Sequence, residues 1–264
     1  VPLTAAFFSA AALLSTFLYL PESLPVEKRI AARKSVKSAT IFHALADRLF
    51  IMRHALARPI VGGLIAMAFV NGFAFAGMEQ TFSLLIQERA KLSVQDASGS
   101  AGYLFGGIGI IIVIVQGGLI RRLVPAVGEA PLVIIGPLFI ALGLFIVGIA
   151  GVFIPVWPGL VVGSCLLALG SSLFNPAIQS LISRHAKAEE QGEVLGASQA
   201  MASLARAVGP LLAGFLFWAV SSGTPYYVSA GICLAVALWA LAIRPRLVPP
   251  AQAAPAEAPT ATAG

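Results

Sequence analysis

The chain has 264 residues, of which 58% are hydrophobic and only 11% charged, and its mean hydropathy is +0.92. Roughly a quarter of a soluble globular chain is charged, so this composition excludes a soluble domain and points to an all-α integral membrane protein. The net charge of +6 does not mark a nucleic-acid binder, because the basic residues gather in alternate loops between apolar runs, which is how a membrane protein distributes them.

Charge-free runs locate the spans. They extend from Val1 to Pro21, Arg58 to Glu79, Asp96 to Arg121 and Glu129 to Arg184, and Arg206 is the only charge between Glu193 and Arg244. A crossing helix needs about 20 apolar residues. Breaks at Pro155-Val156-Trp157-Pro158 and at Ser221 to Pro225, followed by Tyr226-Tyr227, divide the longer runs. About seven spans result, near 2–20, 59–83, 99–121, 130–152, 158–180, 194–219 and 226–243.

Between the first two spans, residues 22–58 form a basic connector. Within it Ile41, Phe42, Leu45, Leu49, Met52 and Leu56 recur at helical spacing. That pattern predicts an amphipathic helix, lying either along the inner membrane surface or packed on the protein's own cytoplasmic face. Residues 244–264, rich in Pro and Ala after Arg246, read as a disordered tail.

Orientation follows from the loops. The connector collects Lys28, Arg29, Arg33, Lys34, Lys37, Arg48, Arg53 and Arg58. Arg121, Arg122, Arg184, Lys187, Arg244 and Arg246 fall on the same side, against Arg89 and Lys91 on the other. The positive-inside bias therefore makes the carboxyl end cytoplasmic. Val1 enters directly into an apolar run, without an initiator Met or the basic stretch of a signal peptide, so the sequence reads as a fragment of a longer frame or as a processed chain. Cys165 and Cys233 fall inside spans, where they serve as small packing residues rather than a disulfide framework.

Several stretches together resemble the major facilitator superfamily, and within it the drug and tetracycline efflux branch. These are "YLPESLP" (Tyr19 to Pro25) before the basic connector, "MEQTFSLLIQERAKLSVQDAS" (Met78 to Ser98), "VQGGLIRRLVPAVGE" (Val115 to Glu129) and "NPAIQSLISRHAKAEEQGEVLGASQAMASLARAVGP" (Asn175 to Pro210). The resemblance covers essentially residues 1–245 and implies the major facilitator fold, two six-helix bundles about a central cavity that work by alternating access. Residues 1–21 would then close the amino-terminal bundle, residues 59–243 would form the six-helix carboxyl-terminal bundle, and the missing amino-terminal half would be the partner. The family's Gly-x-x-x-Asp-Arg type cytoplasmic loop has its echo at Gly118, Arg121 and Arg122, but Arg121 stands where the acid belongs. The resemblance also implies a small-molecule substrate, no cofactor, a proton gradient as energy source and a bacterial inner membrane.

Individual residues support a path through the bundle. Arg206 lies about 18 Å into its span, near the midplane. A guanidinium there costs at least ~2.5 kcal/mol in lipid and must face protein or water. It acts either as a clamp on carbonyls and neighbouring helices or as a contact for substrate. Glu79, the one acid inside an apolar stretch, is a candidate for proton coupling, or else an interfacial carboxylate facing water or pairing with Arg89. Asn71, Gln116, Asn175, Gln179 and Gln199 are candidate path residues or interhelical hydrogen-bonding groups. Phe73, Phe75, Phe82, Phe105 and Phe174 are candidates for an apolar cavity wall.

Gly136-Pro137, Asn175-Pro176 and Gly209-Pro210 supply bending points in three spans. Gly102, Gly106, Gly107 and Gly109, with Gly192, Gly196, Gly209 and Gly214, permit close helix approach. His43, His54 and His185 have no second ligand at metal spacing, no acid pair lies within a span, and no phosphate-binding glycine loop appears, so the sequence offers no enzyme chemistry. The expected activity is proton-coupled export of a small hydrophobic or drug-like molecule. A seven-helix receptor is the alternative, although the last span lacks the lysine that retinal attachment requires.

Overall fold

The structure, a computed structural model, describes residues 2–19, 56–187 and 190–247. Residues 20–55, which carry most of the connector and its expected amphipathic helix, and the tail beyond residue 247 lie outside those residues, whereas 244–247, expected as the start of a disordered tail, are helical. The chain divides into two compact units, residues 1–49 and 50–264. In the first, α1 (Pro2–Tyr19) is a helix over the residues of the first expected span, of which Ser9–Tyr19 counts as a short apolar helix. Its hydroxyls are satisfied internally, Ser15 donating to the Ala11 carbonyl and Thr16 to that of Ala12, as an apolar solvent demands.

The second unit carries α2 (Pro59–Ala90), α3 (Val94–Ile114), a π-helical segment (Val115–Leu119), α4 (Ile120–Val127), α5 (Glu129–Ile149), α6 (Val156–His185), α7 (Gln191–Ala219), α8 (Thr224–Ala242) and the short α9 (Arg244–Leu247). Among the described residues, six helices of this unit are long and apolar enough to cross a membrane, with α3, the π-segment and α4 counting as one. The only strand-like feature described is a bridge between Ala150 and Ile154 that closes the turn after α5.

The ends of the helices have local causes. Pro59 begins α2, where its missing N–H costs nothing. Lys91, in the left-handed region at φ 51, ends it. Ser93 then caps α3, its hydroxyl accepting from the Asp96 N–H at 3.2 Å while donating to the Asp96 carboxylate at 2.7 Å.

Three helices outrun their expected spans, α6 among them, running from Val156 to His185 rather than 158–180. α2 continues to Ala90 rather than ending near residue 83, and the third span runs from Val94 to Val127 instead of 99–121. The absence of charge marks the hydrocarbon, whereas a helix continues through the interface, where charged side chains meet water. The stretch expected as a cytoplasmic loop is therefore helical. Gly118 belongs to the π-segment, Arg121 and Arg122 to α4, and only Gly128 separates α4 from α5. Its φ of 77 permits that one-residue reversal, which a side chain would resist.

Glycine pairs bring the helices together. On α5 and α6, a Cβ at Gly136 would lie 2.9 Å from the Gly170 carbonyl oxygen, and one at Gly143 2.8 Å from that of Gly163. On α2 and α7, a Cβ at Gly209 would lie 2.6 Å from the Phe73 carbonyl oxygen. The other glycines expected to mediate close approach do not do so here: a Cβ at Gly102, Gly106, Gly107, Gly109, Gly192, Gly196 or Gly214 meets nothing within 4 Å. Pro137, Pro176 and Pro210 lie inside α5, α6 and α7, each of which is assigned as one helix across its proline.

The core has two parts. At the basic end of the bundle, Leu64, Ile65, Phe174, Ile178 and Leu181 are buried together. Toward the opposite end, Phe82, Leu85, Leu144 and Tyr226 form a second cluster.

Candidate functional site

Between these two clusters a cavity of about 340 Å³ opens against α2, α6 and α7. Helical periodicity builds its walls. Asn71, Phe75 and Glu79 recur every four residues on one face of α2, and Gln199 and Arg206 stand on α7 with Ser198 and Ala202. From α6 come Ser171, Phe174, Asn175, Ile178 and Gln179.

The glycine contacts fix the register. A Cβ at Gly72 would lie 3.7 Å from that of Ala205, which sets Asn71 level with the α7 turn carrying Arg206. Glu79 lies eight residues beyond Asn71, about 12 Å further along the axis. Because α2 extends to Ala90, Glu79 is some 17 Å short of that helix end.

The polar groups of the cavity are largely unspent. The Arg206 guanidinium donates through Nη2 to Ser203 Oγ at 3.3 Å, one turn back on its own helix. It clamps no carbonyl and no neighbouring helix among the described residues. Glu79 makes no hydrogen bond or ion pair with the described residues. The cavity therefore holds a cation and an anion that do not neutralise each other. Asn71 is 3% exposed and Ser198 2% exposed, and Asn71 Oδ1 and Ser198 Oγ are buried without a hydrogen-bond partner.

Of the residues singled out from sequence, Asn71, Phe75, Glu79, Asn175, Gln179, Gln199 and Arg206 all border this one cavity. Gln116 does not. It sits in the π-segment of the third span, on a helix that contributes nothing to these walls. Among the aromatic candidates, Phe75 and Phe174 line the cavity. Phe82 and Phe105 instead pack as tilted rings in the outer core at 5.3 Å between centroids, and Phe73 lies 6.3 Å from Phe69. Ser171 and Ser198 went unnoticed in the sequence, where small hydroxyls carry no distinctive signal. Ser171 lies one turn before Asn175 and Ser198 two turns before Arg206, and those shared faces are what would have revealed them.

Arg89 does not pair with Glu79. Its side chain runs beneath two outer turns, where a Cβ at Gly151 would come within 3.1 Å of its own Cβ and one at Gly223 within 3.3 Å of its guanidinium. Neighbouring Glu88 accepts from Ser222 at 2.8 Å. At the basic end Arg58 pairs with Glu190 at 2.6 Å, a hydrogen bond that raises the arginine's pKa further. Glu129, 6% exposed, accepts from Ser180 at 3.0 Å and lies 3.4 Å from Arg184 Nε.

A multi-pass helical bundle with a polar cavity walled by three of its helices is the class of molecule these observations define. The Major Facilitator Superfamily model matches residues 127–263, and the chain belongs to that superfamily. It is similar to bovine major facilitator superfamily domain-containing protein 10, at 32% identity over 97% of this chain and 56% of that protein. The human protein of the same name is 29% identical over 88% of this chain and 51% of its own length. Multidrug resistance protein 2 of Bacillus subtilis is 25% identical over 78% and 47%.

The crystal structure of the human organic anion transporter MFSD10 (TETRAN) superposes with a TM-score of 0.73. It is 28% identical and covers 90% of this chain and 56% of that one. The chain thus spans about half the length of the curated relatives it matches. The relatives belong to a superfamily of transport proteins, and they do not favour the receptor alternative.

Proposed function

We propose that this bundle forms one wall of the substrate path of a proton-coupled secondary transporter, and that the substrate is an amphipathic organic anion. The observation that carries the reading is the cavity between α2, α6 and α7, in which Arg206 faces open space with a single hydrogen bond to Ser203. A guanidinium with spare donors on a cavity wall is suited to a carboxylate or sulfonate, while Phe75 and Phe174 supply apolar surface for the rest of the molecule. The organic-anion description of the human structural relative agrees with this chemistry.

Glu79 shares the cavity and takes the coupling role. Proton arrival removes the charge that would repel an anionic ligand, and proton departure restores it. A membrane potential contributes about 2.3 kcal/mol per charge per 100 mV to such a cycle. The sequence resemblance to the drug and tetracycline efflux branch supports export as its direction. The bias of basic loops supports a cytoplasmic carboxyl end, and the bacterial multidrug relative supports the inner membrane as one setting for this architecture. The amino-terminal half of a longer chain supplies the second wall.

The test is transport of radiolabelled phenylacetate by the full-length protein in liposomes under an imposed pH gradient. Arg206→Gln should abolish saturable transport, and Glu79→Gln should leave transport that no longer responds to the gradient. Unchanged kinetics in Arg206→Gln would sink the anion reading, and an intact gradient response in Glu79→Gln would remove Glu79 from coupling.

A further inference from the structure

Asn71 stands out among the groups that the anion reading leaves unused. Its side chain is 3% exposed, it borders the cavity, and its Oδ1 has no hydrogen-bond partner among the described residues. Burying an amide oxygen without a partner is unfavourable by the full cost of removing it from water, so such a group is either satisfied by something that enters the site or is a standing defect.

Ser198 Oγ is also unpartnered, but a helical serine can turn its hydroxyl onto the carbonyl four residues back, as Ser171 does to Leu167 at 2.7 Å and Ser172 to Ala168 at 2.6 Å. An asparagine in mid-helix makes that closure less readily. Oδ1 is itself sealed from the cavity, and a half-turn about the soft terminal torsion is the step that brings it to the accessible side.

Depth makes the group specific. Asn71 is level with the α7 turn that carries Arg206, and Phe75, one turn further along α2, borders the same space. An anion held by Arg206 therefore presents the remainder of its body to Asn71.

Resting on the anion reading above, we infer that Asn71 is a specificity-determining residue, whose side-chain carbonyl accepts a hydrogen bond from a hydroxyl or N–H group on the transported anion. The preferred substrates are amphipathic anions that carry such a donor, in preference to purely hydrocarbon acids of the same size. A site that hydrogen-bonds its ligand discriminates against the analogue lacking the donor because the protein group is then left buried and unpaired.

The experiment compares 4-hydroxyphenylacetate with phenylacetate, using the full-length protein in liposomes. The wild type should favour the hydroxylated anion by about tenfold in kcat/KM, the scale of one hydrogen bond to a buried neutral group. Asn71→Leu should bring that ratio to about one by losing the hydroxylated anion while keeping phenylacetate, a split that a merely structural role would not produce.

Replacing an unpartnered buried amide by an apolar group of similar size should not unfold the protein, and a monodisperse, correctly inserted Asn71→Leu confirms that control. Should that variant misfold, Asn71→Thr, which is smaller and keeps an acceptor, must retain a preference for the hydroxylated anion; its loss there overturns the inference. Equal ratios in wild type and Asn71→Leu overturn the Asn71 role alone, and mean that another part of the chain or water occupies the amide. Transport of neither anion by the wild type overturns the anion reading, and this inference with it.

Discussion

Gly136 of α5 and Gly170 of α6 face each other so closely that a Cβ on either would intrude on the other's backbone, at 2.9 Å from the Gly170 carbonyl oxygen and 2.6 Å from that of Gly136. The obstacles are main-chain atoms with the Phe174 and Ile140 side chains beside them, so neither helix can yield locally. Gly170→Ala should therefore force the two helices apart and destabilise the bundle by about 1–3 kcal/mol. The melting temperature of the detergent-purified full-length protein measures this, and an unchanged value would mean that the two helices are free to separate.

That contact also shows what the sequence could and could not reveal. Six of the seven expected spans were legible, because lipid excludes charge from the hydrocarbon. The cavity was partly legible, since Asn71, Phe75 and Glu79 share one face of a helix and Arg206 must avoid lipid. Which helices meet was not. Gly102 and Gly136 are equally small residues in equally apolar runs, yet only Gly136 has a neighbour at contact distance, because packing partners are a property of the tertiary arrangement. Gln116 misled for the same reason: polarity marked it, but its helix does not border the cavity.

Arg206 should be dispensable for folding. Its one hydrogen bond goes to Ser203 on the same helix, and no other helix depends on it among the described residues. Arg206→Lys keeps the charge but loses the planar fork that engages a carboxylate through two N–H groups. We expect normal insertion and a stability within about 0.5 kcal/mol of wild type, together with an anion KM raised about tenfold. Loss of insertion in this variant would return Arg206 to the role of a structural clamp.

Glu129 is the first residue of α5 and nearly buried, with Ser180 donating to its carboxylate and Arg184 beside it. The carboxylate also meets the positive end of the helix dipole. Arg184 is 53% exposed, so water replaces Glu129 around the guanidinium and the loss stays below that of a fully buried pair. Glu129→Gln should retain the Ser180 contact and lower stability by about 1–2 kcal/mol, as charge-assisted bonds become neutral ones. Chemical denaturation at two salt concentrations tests this: high salt should narrow the gap between variant and wild type, because part of the interaction is screened.

Tyr226 is fully buried on α8, and Thr81 of α2 lies 3.2 Å from its hydroxyl. Thr81 also reaches the Gly77 carbonyl at 3.1 Å, four residues back on its own helix, so its hydroxyl has a second partner at hand when the tyrosine oxygen is removed. The link between α2 and α8 is therefore carried chiefly by the aromatic ring rather than by the polar contact. Tyr226→Phe should cost about 1 kcal/mol or less, in line with the ~0.6 kcal/mol average for hydrogen bonds between membrane helices. Tyr226→Ala should cost about 3–5 kcal/mol, since it empties a ring-sized volume in the outer core. A double-mutant cycle with Thr81→Val separates the two contributions, and a coupling well above 1 kcal/mol would assign the hold between these helices to the hydroxyl pair instead.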